Sequence, residues 1–315
     1  MSDNVKEEIL LVGLGYMGKE YHKVLAAMDI PYTAVGRSEQ GAKEFENATG
    51  HKAYFGGLGK YIEENGMNFR TAILAVQVRF LSECAVKLLK AGVKQLLVEK
   101  PCGLNREEID NIVEEAEKNG AKVVVAYNRR HYASVLAAEK MIQEDGGVTS
   151  FKFDFTEIGF KDGESIEGRI IGNSSHVIDL AFWLGGVPKK ILSFNNIVNG
   201  EKTCIEFAGA GISEQDALFS YSANWRAPGR WNVEVMTPLH RLIFSPMEKL
   251  QVQCLETFAV NEAEVDYTLD TEFKPGIYRE VTMFLNDIDN PRMLTIQQQR
   301  KHFEYFIAIS RGNCQ

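Results

Sequence analysis

The sequence predicts an α/β protein: an N-terminal doubly wound parallel sheet, then a C-terminal α+β domain built on a mostly antiparallel sheet. Three observations lead to this fold class. The 315 residues exceed the size of most single hydrophobic cores. Apolar strand-like runs alternate with helical stretches up to about residue 128, and longer alternating strands follow. We therefore expect two domains, residues 1–128 and 129–315.

The first half alternates strands with helices in a regular order. The strand-like apolar runs are 9–12, 32–35, 71–76, 95–98 and 122–126. The spacing of apolar positions predicts helices over roughly 16–28, 38–49, 80–91 and 105–119. Alternation of this kind predicts parallel strands with helices on both faces of the sheet.

The second half begins with a predicted helix at about 131–144 and continues mainly in strands. In "TSFKFDFTEI" the side chains of Phe151, Phe153 and Phe155 fall on one face. Further strands are predicted near 188–197, 202–208, 217–224, 231–236, 239–245 and 250–257, with one helix from about Ser174 and two more at the end. A sheet covered by helices on one face only leaves the other to be buried, which predicts a homodimer or homotetramer.

Composition argues against several classes of protein. The formal net charge is -8 with no dense basic run, so we expect no nucleic-acid partner. No apolar stretch approaches membrane-spanning length, and the start lacks the features of a signal peptide, so we expect a cytoplasmic protein without a membrane partner. The five cysteines and six histidines are scattered, which predicts reduced thiols and no metal site.

A glycine-rich turn follows the first strand directly. In "ILLVGLGYMGKEYHKVL" the pattern G-x-G-x-x-G falls on Gly13, Gly15 and Gly18, with Tyr16 and Met17 between them. The glycines permit a tight turn, a close approach of backbone to pyrophosphate, and close packing of helix on strand. Because the turn joins a strand to a helix near the N-terminus, it predicts a Rossmann dinucleotide site rather than a merely structural turn.

The end of the second strand indicates which dinucleotide binds. An NAD-binding domain usually has an acidic residue there, which holds the ribose hydroxyls. This sequence has Gly36 at that place, then Arg37 and Ser38. Losing the carboxylate removes repulsion against a 2′-phosphate, and a guanidinium can pair with it. We therefore predict NADP, with NAD as the alternative; the simpler interpretation of Arg37 is a surface residue beginning a helix.

Polar groups or glycines end every strand of the predicted parallel sheet. Besides the two glycine positions already described, Gln77, Glu99–Lys100 and Asn128 follow their strands. Ligands of doubly wound sheets lie outside the carboxyl ends of the strands. We therefore assign Gln77 and Glu99 to the cofactor site, and the ammonium of Lys100 to the same edge; a strand that simply reaches the surface is the alternative for Lys100.

Four motifs together resemble the Gfo/Idh/MocA oxidoreductases. They are the turn from Gly13 to Gly18, Glu99-Lys100-Pro101, "AYNRR" at 126–130 and "SSHVIDLAFWLGG" at 174–186. The resemblance implies a nicotinamide dinucleotide and oxidation of a sugar, polyol or related secondary alcohol, or the reverse reduction. It also implies that Lys100 is the catalytic lysine, which would stabilise negative charge on the reacting oxygen. Glu99 then anchors Lys100 or nearby backbone.

His176 is the second predicted catalytic residue, again by the resemblance. It falls in the first turn of a predicted helix, where a neutral imidazole is favoured and can accept a proton. Asp179, three residues on, is predicted to bind substrate or orient the ring. The family commonly has an Asp four residues before this His, whereas this sequence has Gly172, followed by Asn173 as a substitute hydrogen-bonding group.

Substrate recognition is predicted from two segments. Asn128 and Arg129 follow the last strand of the first domain, and "NWRAPGRW" at 224–231 adds Trp225 and Arg226. Aromatic faces combined with guanidinium groups suit sugars that carry a carboxylate or phosphate. A hairpin loop whose tryptophans belong to the core is the alternative.

Three functions remain open at this point. The leading one is an NADP(H)-dependent dehydrogenase or reductase acting on a sugar, sugar acid or nucleotide-linked sugar. The second is a lyase or glycosidase that keeps its dinucleotide bound for internal redox cycling. The third is a non-catalytic dinucleotide-binding regulator, which the presence of both Lys100 and His176 disfavours and Gly172 leaves open.

Overall fold

The computed structural model describes residues 7–158, 165–196 and 205–312. Two compact units divide this chain. One comprises 7–127 and 272–300, and the other comprises the described residues of 128–271 and 301–312. The first residues of the strand predicted at 202–208, and Cys204 and Cys314, lie outside the described residues.

The first unit is built on a seven-stranded sheet with the order β15-β6-β5-β4-β1-β2-β3. Its strands are β1 Ile9–Val12, β2 Tyr32–Val35, β3 Ala53–Tyr54, β4 Thr71–Leu74, β5 Gln95–Glu99, β6 Lys122–Ala126 and β15 Leu294–Thr295. All neighbours pair in parallel except β15, which runs antiparallel to β6. Every residue of β1 is buried, as expected for a central strand covered on both faces.

Several helices of the first unit begin or end at residue types that favour helix boundaries. They are α1 Tyr16–Ala27, α2 Glu39–Thr49, α3 Gly57–Asn65, α4 Leu81–Lys90, α5 Arg106–Asn119 and α10 Ile277–Asn286, with a short 3-10 turn at Val78–Phe80. For example, Asn105 caps α5 by accepting a hydrogen bond from the backbone N–H of Glu108 at 2.9 Å. The same helix ends at Gly120, whose φ of 58° suits a residue without a Cβ.

Residues 272–300 belong to the first unit, which corrects the prediction that all residues from 129 to 315 form the second domain. Helix α10 brings Ile277, Val281 and Phe284 into one buried cluster with Tyr21 and Val24 of α1. Strand β15 adds a seventh strand at the edge of the sheet. A two-residue strand and an amphipathic helix give no sequence signal of the unit they join, because both patterns fit either unit.

The second unit is built on an eight-stranded sheet with the order β14-β13-β12-β11-β7-β10-β9-β8. Its strands are β7 Ser150–Asp154, β8 Pro188–Asn196, β9 Glu206–Ser213, β10 Leu218–Asn224, β11 Asn232–Met236, β12 His240–Phe244, β13 Gln251–Cys254 and β14 Asn261–Glu262. Only β7 and β10 pair in parallel, so the predicted mostly antiparallel sheet is confirmed.

Besides α10, the helices of the second half of the sequence are more numerous than predicted. They are α6 Ala133–Glu144, α7 Ile166–Arg169, α8 Ser175–Gly185, α9 Thr268–Glu272 and α11 Ile296–Arg311, with a 3-10 turn at Asn128–His131 and a π-helical turn at Ile170–Ser174. Among the described residues, no helix combines the length and the apolar character needed to cross a membrane.

Aromatic side chains form the core between α8 and its sheet. Phe151 and Phe153 of β7 stack on Phe219 and Tyr221 of β10 at 5.1 and 5.3 Å, and Phe182 of α8 meets them edge-on. The predicted shared face of Phe151, Phe153 and Phe155 is confirmed, since all three are at most 2% exposed.

Candidate functional site

The glycine turn of the first unit has the form that a dinucleotide requires. Gly13 has a φ of +116°, and a Cβ there would lie 2.2 Å from the carbonyl oxygen of Ala75. A Cβ on Gly18 would lie 2.0 Å from the carbonyl oxygen of Gly13. At Gly15, by contrast, a Cβ would meet no protein atom within 4 Å. Packing within the protein therefore requires glycine at positions 13 and 18, whereas Gly15 has open space beside the turn.

Helix α1 begins at this turn with features that suit a phosphate group. Its N-cap is Gly15, which offers no side-chain oxygen, and its first turn contains no acidic residue. The first backbone N–H groups of a helix attract anions when no side chain satisfies them. Tyr16 is 65% exposed with the ammonium of Lys274 at 5.2 Å from its ring, whereas Met17 packs against the core. These residues fit a bound dinucleotide.

The end of β2 presents one exposed cation. Gly36 is buried, and a Cβ there would lie 2.4 Å from the side chain of Leu14. Arg37 is exposed, with its guanidinium carbon 5.1 Å from the ring centroid of Phe80. Ser38 is the N-cap of α2 and accepts a hydrogen bond from the backbone N–H of Gly41 at 3.2 Å. Where NAD-binding domains usually have an acidic residue, this chain has Gly36, which packs closely against Leu14, followed by the exposed Arg37.

Arg79 and Phe80, which follow β4, were not predicted as site residues. Arg79 places its guanidinium carbon 4.8 Å from the ring centroid of the same Phe80. Its Nη2 donates to the Oε1 of Gln77, which is exposed, at 3.3 Å. Gln77 is therefore at the predicted strand end, but its side chain contacts an arginine. Arg37 and Arg79 contact the same ring of Phe80, and no local sequence pattern predicts this shared contact.

Glu99 at the end of β5 is held by buried partners. The hydroxyl of Tyr21, which is fully buried, donates to Glu99 Oε1 at 2.9 Å. Burial raises the pKa of Glu99, opposed by this hydrogen bond, by the charges of Lys100 and Lys274 and by the backbone N–H of Lys100. Burial and then the negative charges of Glu99 and Glu280 hold the pKa of Tyr21 well above its ordinary value, so it remains a donor. Glu99 thus anchors the backbone that carries Lys100.

A second anchor of this segment comes from the end of the first unit. The side chain of Gln299 is fully buried, and its Nε2 donates to the carbonyl oxygen of Pro101 at 3.2 Å. The two residues are 198 positions apart in the sequence. Lys100 itself is partly exposed, between these two buried attachments. No local pattern predicts Gln299, because a glutamine on a helix is usually a surface residue.

In the second unit Asp179 has an internal partner. Arg130 donates from Nε to Oδ2 at 2.8 Å and from Nη2 to Oδ1 at 2.5 Å, and the two side chains are 3% and 0% exposed. The Nδ1 of His302 lies 3.4 Å from Oδ1. Burial would raise the pKa of Asp179, but the charge of Arg130 and the contact with His302 hold it below its ordinary value. Because Asp179 is fully buried and paired, it is not available for the predicted substrate contact, and a role in orienting its neighbours, the other predicted alternative, is the one that the geometry allows.

His176 lies within a continuous helical run, which corrects its predicted place in a first helical turn. Helix α7, the π-helical turn and α8 follow one another without a break from residue 166 to 185. Ser174, near which a helix was predicted to begin, has a helical φ of -63° and makes no capping hydrogen bond. The positive end of a helix dipole is therefore not at His176. Its ring is 8% exposed and lies 6.4 Å from the ring of Trp231.

Glu157 organises the π-helical turn. Its carboxylate accepts from the side-chain amide of Asn173 and, at 2.5 Å, from the hydroxyl of Ser174, and Arg169 lies 3.5 Å away. Asn173 is exposed and is held by this carboxylate. A Cβ on Gly172 would meet no atom of the described residues within 4 Å. Single π-helical turns often mark functional sites.

Of the predicted substrate residues, Arg129 lies near His176, whereas Trp225 is part of the core. Arg129 lies 5.2 Å from the ring of Trp231, the ring that also approaches His176. Asn128 is 4% exposed and hydrogen-bonds to Tyr132, whose pKa burial raises to about 12. Arg129, Trp231 and His176 therefore form one cluster on the second unit, which we call the Trp231 cluster.

Trp225 does not join the Trp231 cluster. It is 2% exposed, packs 4.7 Å from Phe207 and donates to the carbonyl oxygen of Phe155, so it belongs to the core, as the alternative interpretation had it. Arg226 beside it is exposed. Trp231, which lies in the same loop segment, is the tryptophan that belongs to the Trp231 cluster. Within the described ranges, no three His, Cys, Asp or Glu side chains come together as metal ligands would.

Known proteins resemble the chain in its first domain and in its fold. Residues 8–127 match the family model described as an oxidoreductase family with an NAD-binding Rossmann fold. No curated protein sequence matches the chain.

Solved structures resemble the whole chain at low sequence identity. A putative NADPH-dependent oxidoreductase from Desulfitobacterium hafniense superposes with a TM-score of 0.79 at 15% identity, covering 98% of this chain and 95% of that one. Levoglucosan dehydrogenase with NADH and L-sorbose gives 0.76 at 18% identity, covering 96% and 95%. UDP-N-acetylglucosamine 3-dehydrogenase from Acidithiobacillus ferrooxidans gives 0.76 at 14% identity, covering 97% of each chain. These likenesses establish the fold.

Proposed function

Because residues 8–127 place the chain in the Gfo/Idh/MocA family of NAD-binding oxidoreductases, we propose that it is an NADP(H)-dependent dehydrogenase or reductase. Its proposed substrate is a secondary alcohol or ketone of a sugar, sugar acid or nucleotide-linked sugar. The family membership predicted from the motifs is confirmed, and so is the prediction of an NAD(P)-dependent dehydrogenase or reductase.

The position of Lys100 carries the proposal. It follows β5, and the glycine turn follows β1, with only β4 between these two parallel strands. Neighbouring strands are about 4.8 Å apart, so the two strand ends lie roughly 10 Å apart at the same edge of the sheet. An ammonium at this distance from the phosphate-binding turn is placed to act at the far end of a dinucleotide.

Lys100 supplies the electrostatic part of the proposed reaction. The nicotinamide ring, when bound, gives or takes the hydride. Lys100 stabilises the negative charge that develops on the reacting oxygen of the substrate. Glu99, held by Tyr21, fixes the backbone of Lys100, and the buried contact of Gln299 with Pro101 fixes the following residue. The backbone that carries the ammonium is thereby held by the side chains of Tyr21 and Gln299, which are fully buried.

His176 is the proposed proton acceptor for the substrate hydroxyl. Imidazole titrates near neutral pH and is therefore suited to move a proton in either direction of the reaction. In the Trp231 cluster the indole ring offers an apolar face to a sugar, and Arg129 offers a cation to a carboxylate or phosphate. Asn128, Asn173 and Arg226 are proposed as further substrate contacts.

Two observations support a sugar-like substrate. The Trp231 cluster combines an aromatic face with a guanidinium group. Among the structural neighbours are levoglucosan dehydrogenase with bound L-sorbose and UDP-N-acetylglucosamine 3-dehydrogenase.

The choice of NADP over NAD rests on Arg37 and the missing acid at Gly36. The structural neighbours include both a putative NADPH-dependent oxidoreductase and an enzyme with bound NADH, so they favour neither cofactor. Replacing Arg37 with alanine should raise the KM for NADP far more than the KM for NAD. Equal effects on the two cofactors would contradict the assignment.

The reaction is tested by following nicotinamide absorbance with a panel of sugars, sugar acids and nucleotide-linked sugars. With an accepted substrate, Lys100→Met should lower kcat by about 100-fold or more, since an ammonium that stabilises the transition state is lost. The matched control is Lys118→Met on α5, where the side chain is 74% exposed. Turnover of Lys100→Met at the level of this control would refute the role of Lys100. Turnover without net change in absorbance would favour internal redox cycling.

We also propose that the protein is a homo-oligomer. The β8–β10 side of the second sheet exposes Leu192, Phe194 and Leu218, which are 59%, 61% and 64% exposed. Leu192 and Phe194 pair in register with Ala210 and Ala208 of β9, so small apolar residues extend the same face. A contiguous apolar face of this kind marks an association surface.

A further inference from the structure

Arg37 and Arg79 share one aromatic ring, although they come from different strands. Their guanidinium carbons lie 5.1 and 4.8 Å from the ring centroid of Phe80. The two cations are therefore within about 10 Å of each other, a distance at which like charges repel measurably unless an anion is present. Phe80 holds both by contact with the face of its ring.

Neither arginine is neutralised by a carboxylate of the part of the chain that the structure describes. Over residues 7–158, 165–196 and 205–312, neither guanidinium has a carboxylate within ion-pair distance. Cations on the neighbouring helices are paired, as Lys43 is with Glu39 at 2.7 Å and Lys87 with Glu83 at 2.9 Å. Because the chain carries a net charge of -8, acidic partners are abundant. Two adjacent arginines without one indicate a site for an anion with more than one negative charge.

The two arginines lie at the ligand-binding edge of the sheet. Arg37 follows β2 and Arg79 follows β4, and β1 with its glycine turn lies between these strands. An anion bound by both would therefore be next to the phosphate-binding turn. Among the described residues, Arg79 donates a hydrogen bond to the neutral amide of Gln77, at 3.3 Å. A phosphate oxygen would accept a stronger, charge-assisted bond.

We infer that Arg79 is a second ligand of the 2′-phosphate of NADP, and that Phe80 is the ring that holds it beside Arg37. This inference rests on the proposed use of NADP and adds a residue that the end of β2 does not provide. A 2′-phosphate is dianionic near neutral pH and is matched by two guanidinium groups. Arg79 thus acts as a specificity-determining residue contributed by the turn after β4.

The test compares two ligand fragments that differ only in the phosphate of interest. Adenosine 2′,5′-bisphosphate and adenosine 5′-monophosphate are titrated calorimetrically into wild type and into the Arg79→Ala and Arg79→Lys variants. The matched control is Arg70→Ala. Arg70 is likewise exposed, but it precedes β4 and therefore lies at the opposite edge of the same sheet. Thermal unfolding of each variant shows that the fold is retained.

Arg79→Ala should weaken the bisphosphate by about 10-fold or more and the monophosphate by less than about 3-fold, because one charge-assisted contact is lost. Arg79→Lys should recover part of the loss, since it keeps the charge without the bidentate geometry. Arg70→Ala should change neither titration by more than about 2-fold.

Two outcomes would overturn the inference, and they are distinguishable. If wild type prefers the bisphosphate and Arg37→Ala removes the preference, but Arg79→Ala behaves like Arg70→Ala, then Arg37 alone reads the phosphate. The proposed use of NADP would then survive, and the role of Arg79 would not. If wild type binds the two fragments equally, the use of NADP fails, and the inference fails with it.

Discussion

Replacing Asp179 with asparagine should destabilise the second unit severely, although asparagine has the same size. Both side chains of the pair are almost fully buried, at 0% for Asp179 and 3% for Arg130, and two hydrogen bonds join them. Breaking a buried ion pair costs about 3–5 kcal/mol, because the remaining charge has lost its compensation inside the protein. The amide oxygen of asparagine still accepts one hydrogen bond, so we expect the lower end of this range.

The assay is chemical and thermal unfolding of wild type and variant side by side. For a unit of roughly 150 residues, each kcal/mol shifts the Tm by about 2–4 °C, so a loss of about 3 kcal/mol corresponds to roughly 6–12 °C. The control is Glu144→Gln, which breaks the exposed Lys140–Glu144 pair, where the side chains are 77% and 63% exposed. That change should stay within about 0.5 kcal/mol.

The pH dependence of the difference provides a second measurement. The folded protein holds the pKa of Asp179 below its ordinary value, because Arg130 and His302 outweigh the effect of burial. A carboxyl group of this kind contributes stability that is present above its unfolded pKa of about 3.9 and is lost as the pH falls through the folded value. The gap between wild type and Asp179→Asn should therefore narrow only below about pH 4.

If Asp179→Asn lost no more stability than Glu144→Gln at neutral pH, the buried pair with Arg130 would not stabilise the second unit as stated. A stability difference that stayed unchanged well below pH 4 would show that ionised Asp179 is not its source. Because Asp179 lies one helical turn after His176 on α8, the variant should also lower kcat at a temperature where it is fully folded.

Three further perturbations separate folding from function. Gly13→Ala should lower the free energy of unfolding by about 1–3 kcal/mol, because Gly13 has a positive φ and a Cβ would meet the carbonyl oxygen of Ala75. Gly15→Ala should unfold like wild type but bind dinucleotide more weakly in a fluorescence titration. Equal stability of the two variants would contradict this. Gln299→Leu should cost about 1–3 kcal/mol and lower kcat, and an unchanged kcat would show that its bond does not position Lys100. Phe194→Glu should shift the mass measured by light scattering to that of a monomer, whereas Phe258→Glu, at a fully exposed residue, should not; a monomeric wild type would exclude the proposed oligomer.

The sequence predicted the first sheet well because its strands are continuous apolar runs. The ranges predicted for β1, β2 and β6 agree with the structure to the residue. Strand β3 and helix α3 were missed, since β3 has two residues and α3 begins with glycines, which break a helical pattern. The first strand of the second sheet was predicted from the alternation of Phe151, Phe153 and Phe155. The π-helical turn before α8 was not, because it has no known sequence pattern.

The candidate site was predicted where residues are close in sequence and missed where they meet through the fold. The glycine turn, Arg37 and Lys100 each carry a local pattern. Arg79 and Gln299 have none, because their importance comes from contacts with Phe80 and Pro101 that only the sheet order and the return of the chain create. The buried partner of Asp179 was not predicted for a similar reason, since Arg130 lies 49 residues earlier.

The return of residues 272–300 to the first unit bears on how the protein is made. During synthesis, the ribosome releases β1 to β6 long before α10 and β15 exist. Until then, Tyr21 and Val24 of α1 lack the side chains of Ile277, Val281 and Phe284 that bury them. The nascent N-terminal segment must therefore wait, with part of its apolar surface uncovered, while almost the entire remainder of the chain is translated. For the same reason, a fragment ending at residue 127 would not be a self-sufficient domain.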